Sequence, residues 1–120
     1  MLGPVRERID LKIALDVDGV ISEAPAFFAT LTHALQSAGH QIFIVTDHDE
    51  HFRAEREAEL HDWGIAYDEL VIVGDKEEFC RARGVDFALD DDVVEYYPHS
   101  ASLILGLARC GSGNTDKSGS

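Results

Sequence analysis

The sequence predicts an α/β domain: three layers, with a parallel sheet of about five strands between two layers of helices. Three observations predict it. Short apolar runs alternate with helical patterns, glycines stand where those helices should stop, and polar residues end the apolar runs. Strands alternating with helices imply parallel pairing through right-handed crossovers.

Residues 11–16 (LKIALD) are a short apolar run closed by an aspartate, the pattern of a buried first strand. Pro25 opens a helical stretch in which Phe27, Phe28, Leu31, Leu35 and Ala38 share a face, and Gly39 is its natural stop. Residues 41–46 (QIFIVT) are a second buried strand. Asp47 or Asp49 is placed to cap a second helix running to Trp63 and stopped by Gly64. Its apolar stripe is thin: Phe52, Leu60 and Trp63, interrupted by Arg56. It is expected to cover a sheet edge. Residues 69–73 (ELVIV) form a third strand, and Gly74-Asp75 makes a turn and cap. A short helix follows over 76–83, ending at Gly84. Residues 85–89 (VDFAL) are a fourth strand leading into Asp90-Asp91-Asp92. A helical turn over 93–97 stops at Pro98, and residues 102–107 (SLILGL) complete the set as a fifth strand. The arrangement is doubly wound and Rossmann-like. It occupies residues 1–110, and 111–120 (GSGNTDKSGS) is a polar, low-complexity tail.

With 120 residues there is room for one domain, large enough to bury a core without disulfides. The 23 acidic residues against 10 basic ones give a formal charge of −13, a field that repels nucleic acid and anionic membranes. It also repels a phosphate ester unless a cation is bound locally. Most of these acidic residues read as a solvated surface. Cys80 and Cys110 match no zinc spacing and are too few for a disulfide framework. Cys80 is expected to pack as a small apolar residue. No signal-peptide layout and no apolar run of membrane-spanning length is present, so a soluble cytoplasmic protein is expected.

In parallel sheets, ligands bind outside the carboxyl ends of the strands. Asp16, Thr46 and Asp90 each end a strand, and Lys76 opens the helix before the fourth. All four should border one crevice. Asp16 and Asp18, separated by one residue on a turn, can face the same pocket, and Asp91 adds a further carboxylate. Such carboxylates raise one another's pKa, a conflict that a hard cation with oxygen ligands removes, Mg²⁺ being the usual one. A metal, a nucleophile, an acid/base, the Thr46 hydroxyl and the Lys76 cation are what phosphoryl transfer needs. Taken singly these residues have ordinary readings: an aspartate after a strand commonly caps a helix or forms a turn, and Asp75 and Asp92 fit that role.

The run LDVDGV (15–20) resembles the first motif of the haloacid-dehalogenase-like hydrolases. Thr46 after IFIV, Lys76 in VGDK, and Asp90-Asp91 after DFAL resemble their second, third and fourth motifs. The resemblance spans roughly residues 11–107, and its spacing is similar to that of compact members related to 5′(3′)-deoxyribonucleotidases. It implies that Asp16 is the nucleophile that becomes phosphorylated. Asp18 protonates the leaving alcohol and then deprotonates the attacking water. Val17 and neighbouring amides orient phosphoryl oxygens, Thr46 holds one of them, and Lys76 offsets negative charge. Mg²⁺ would be held by Asp16, the Asp18 carbonyl and Asp90, with help from Asp91. The expected activity is a phosphatase acting on a nucleotide or another small phosphate ester. The metal-binding set argues against dehalogenation.

The chain departs from those relatives in two ways. Thr46-Asp47-His48-Asp49 stands where they often carry a small residue and an arginine, and an aspartate there disfavours a nucleotide. The short 19–25 connection leaves no cap domain. An open site implies a large substrate or a partner subunit that completes it, so a homo-oligomer is among the expected states.

Three further readings apply. His48 and His51, within an acidic helix start, could bind a transition metal, although a plain polar helix start accounts for them. Phospho-receiver domains use similar residues, but in a different chain order. A catalytically weak regulatory or binding domain on the same fold is the main alternative.

Overall fold

The computed structural model describes residues 10–47 and 49–99, and the backbone of 104–106. The strands are β1 (Lys12–Leu15), β2 (Gln41–Thr46), β3 (Glu69–Ile72), β4 (Phe87–Asp90) and β5 (Ile104–Gly106). The helices are α1 (Pro25–Ser37), α2 (Arg53–Asp62), α3 (Lys76–Arg83) and the single turn α4 (Val93–Tyr96). All strand pairings are parallel, in the order β3-β2-β1-β4-β5. The polar tail expected over 111–120 lies outside the described residues.

Strand alternation sorts the core into two layers. Ile13, Leu15, Ile42 and Ile44 point to one face, where they pack with Phe28 of α1, Leu60 of α2 and Ile21. Ala14, Phe43, Val45 and Ala88 point to the other, against Cys80 of α3 and Tyr97. β1 and β2 are apolar on both sides because each side is covered, which is why they read as continuous apolar runs. Cys80 is buried there as a small apolar residue. Thr32, fully buried in α1, ties the helix to the chain ahead of β3. Its hydroxyl donates to the Phe28 carbonyl at 2.7 Å and accepts from the Ala66 amide at 3.1 Å.

Most element boundaries shift by one or two residues from expectation, and two of the differences have a visible cause. The fourth strand begins at Phe87 rather than Val85, because the two preceding residues are already engaged. The Val85 amide closes α3 on the Cys80 carbonyl at 2.9 Å. Asp86 clasps Lys12, backbone amide to carbonyl at 2.8 Å and carboxylate to amide at 2.8 Å. The second helix is preceded by a 3-10 turn, Glu50–Phe52, capped by Asp49, whose carboxylate accepts from the His51 amide at 2.9 Å. Asp75 and Asp92 are caps as well, accepting from the Glu78 and Glu95 amides.

Polar side chains fasten the amino edge of the sheet. The Leu11 amide donates to His40 Nδ1, the Ile42 amide to Asp68, and the Lys12 ammonium to the Arg83 carbonyl, all within 2.8 Å. Among the described residues, no helix is long and apolar enough to cross a membrane.

Candidate active site

The strand order reverses between β1 and β4: β2 and β3 lie to one side of β1, and β5 lies beyond β4. A crevice opens at such a switch point, outside the carboxyl ends of the two strands. Asp16 follows β1 and Asp90 ends β4, so both stand at its mouth. The Asp16 amide continues the ladder to the Leu89 carbonyl at 3.1 Å, which fixes the two residues side by side.

Lys76 reaches them from the first turn of α3. Its side chain is 1% exposed, with Nζ 2.7 Å from Asp90 Oδ2 and 3.3 Å from Asp16 Oδ1. A buried ammonium at a helix N-terminus is doubly unfavourable unless paired, and two carboxylates offset that cost. Burial pushes the Asp16 pKa up to about 7, with the Asp90 charge adding to the rise and Lys76 opposing it. Burial works against a charged Lys76. The hydrogen bond to Asp90 and the charges of Asp16 and Asp90 outweigh it, so the lysine pKa moves upward.

Asp91 completes the acidic group. Carboxylate oxygens of Asp16, Asp90 and Asp91 lie within 4.8 Å of one another, the spacing of ligands around one cation. Three carboxylates and one ammonium sum to −2, the complement of a divalent ion. Gly19 is part of this construction. It has φ +84°, and a Cβ there would stand 2.1 Å from Asp91 Oδ2, so the turn after Asp18 closes directly on the Asp91 carboxylate.

The other expected residues are placed as follows. Val17 is fully buried, and its amide donates to Asp16 Oδ1 at 2.8 Å, holding the carboxylate in place. Thr46 is the buried last residue of β2. The pairing of Leu15 with Ile44 puts Asp16 level with Val45 and Thr46 one residue farther out. Asp18 is 69% exposed, and its carboxylate turns towards α2, where Arg56 Nη2 donates to Oδ2 at 3.1 Å. Asp18 is thus exposed and turned to α2, and it is not one of the three aspartates that converge. His51 is exposed, and His48 lies outside the described residues.

Two contributors escape a reading of the sequence. Arg56, which reads as an interruption of the apolar stripe, is 8% exposed and ion-paired. Tyr96 lays its ring 4.1 Å from Lys76 Nζ, within cation–π range, while its hydroxyl donates to Asp47. That hydrogen bond is the main cause raising the Tyr96 pKa. Asp47 thus turns to the tyrosine beside the crevice. The helical turn before Pro98 was the one available signal for Tyr96.

Fold and site together define an α/β domain with a buried aspartate–lysine–aspartate group at the switch point of a parallel sheet. Comparison with protein-family models, curated proteins and solved structures finds no match for the chain.

Proposed function

We propose that this chain is a Mg²⁺-dependent phosphomonoester hydrolase of the haloacid-dehalogenase-like type, without a cap domain, working through an aspartyl-phosphate at Asp16. One observation carries the reading: Asp16, Lys76 and the Asp90-Asp91 pair, from three separate stretches of chain, meet at one crevice. Asp16 is held for attack by the Val17 amide and Lys76. Its carboxylate oxygen forms the bond to phosphorus as the ester P–O bond breaks, and the leaving oxygen takes a proton from Asp18. Asp18 then takes a proton from water as the water oxygen attacks phosphorus. The Asp16–phosphorus bond breaks, and inorganic phosphate leaves. Asp16, Asp90 and Asp91 would hold Mg²⁺, which supplies charge neutralisation at the phosphoryl group. Lys76 holds positive charge beside the nucleophile throughout, and Thr46 would steady a phosphoryl oxygen.

The substrate class is a phosphate monoester, small or displayed on a larger molecule that fits an open site. A cytoplasmic protein free of nucleic acid, alone or as a homo-oligomer, fits this reading. The test is a panel of phosphate esters with Mg²⁺, on the wild type and on Asp16→Asn. Phosphate release abolished by EDTA and by Asp16→Asn is expected. Turnover retained by Asp16→Asn would rule out the aspartyl-phosphate. A wild type inert towards every ester would favour the regulatory or binding domain.

A further inference from the structure

We propose that Arg56 positions Asp18 for proton transfer, a role that rests on the phosphatase reading above. Along α2 and its flanks, Phe52, Arg56, Leu60 and Trp63 fall at helical spacing, and Leu60 is fully buried. Arg56 thus fills a core-facing position with a guanidinium, which is costly unless the charge is paired. Its partners include Glu59 Oε1 at 2.6 Å, on its own helix, and Asp18 Oδ2 at 3.1 Å, 38 residues away. The helix and Glu59 fix the guanidinium, and the guanidinium fixes Asp18.

The exposure of the two partners is unequal, and this points beyond simple docking of α2 onto the turn. A docking pair is best buried on both sides, yet Asp18 is 69% exposed against 8% for Arg56. The carboxyl is held by the guanidinium on one side and stays open to solvent, two residues along the turn from Asp16. An exposed side chain without such a hold would lose orientational freedom at every turnover, and fixing it beforehand removes that cost. Arginine keeps its own proton, so Arg56 acts through Asp18 and not on the reacting atoms.

The leaving group separates this role from a structural one. As the Asp16 oxygen bonds to phosphorus, an alkyl ester must expel a basic alkoxide, which needs the Asp18 proton. A nitrophenolate leaves without one. The full-length chain is assayed with Mg²⁺ for kcat/KM on p-nitrophenyl phosphate and on a simple alkyl phosphate. Arg56→Met, which preserves the stem packing, should lose at least about tenfold more on the alkyl ester, a fraction of what a general acid supplies. Arg56→Lys, keeping charge but lacking the fork that spans Glu59 and Asp18, should fall between. Equal loss on both esters overturns the positioning role and leaves the phosphatase reading intact. A wild type inert on both esters overturns the two together. Should Arg56→Met fail to fold, Arg56→Lys carries the same comparison, and equal loss there overturns the proposal.

Discussion

Asp16→Asn offers a test of the site's electrostatics that needs no substrate. The Asp16 pKa rises from 3.8 to about 7 on folding, first through burial and then through the Asp90 charge. The shift is upward, so between those values the folded protein retains a proton that the unfolded chain has released. Stability from this group is greatest below 3.8, falls as the pH rises, and levels off above about 7. Three pH units at about 1.4 kcal/mol each set a full span on the order of 4 kcal/mol. Between about pH 5.5 and pH 8 the fall is roughly 2 kcal/mol by the same relation. Urea unfolding in EDTA at the two pH values measures it. The wild type should lose roughly 2 kcal/mol more than Asp16→Asn across the interval. The six histidines titrate in the same range, but both proteins carry them, so they cancel in the difference. Parallel pH profiles for the two proteins would refute the burial of an ionisable Asp16 against Asp90.

Other outcomes follow from the same geometry. Mg²⁺ should raise the wild-type melting temperature more at pH 8 than at pH 5.5, because it competes with the Asp16 proton; thermal shift assays with and without EDTA check this. Lys76→Met leaves Asp16 and Asp90 buried without their cation and should cost about 3–5 kcal/mol at pH 8, read by denaturant unfolding, with part recovered on adding Mg²⁺. Gly19→Ala forces a left-handed residue and drives its Cβ into Asp91; a loss of at least about 1 kcal/mol and weaker Mg²⁺ binding by calorimetry are expected. Thr32→Val strands the buried Ala66 amide and should cost about 1–3 kcal/mol in urea unfolding, with the site unchanged.

The parts of the site that sit at strand ends were legible in the chain. Asp16 and Asp90 are found by asking where each apolar run stops, and Lys76 by its place at a helix start. Arg56 and Tyr96 were not legible, because their partners are distant. Arg56 meets Asp18 across 38 residues and Tyr96 meets Asp47 across 49, contacts that depend on where α2 and α4 lie over the sheet. Periodicity places a residue on a face without naming what that face will meet. The late start of β4 was hidden for a related reason. Val85 reads as a strand residue, yet its amide is taken by α3 and its neighbour Asp86 by Lys12.

The two edges of the sheet divide their duties. At the amino edge, His40, Asp68, Asp86 and Lys12 clasp one segment to the next. At the carboxyl edge, the polar side chains turn to one another around the crevice. The clasps hold whatever stands on the opposite rim, so the five residues between Gly19 and Pro25 that join the first turn to α1 could be lengthened into a wall over the crevice with every clasp in place. Selectivity could thus be added to this domain by insertion, with no redesign of the part that keeps it folded.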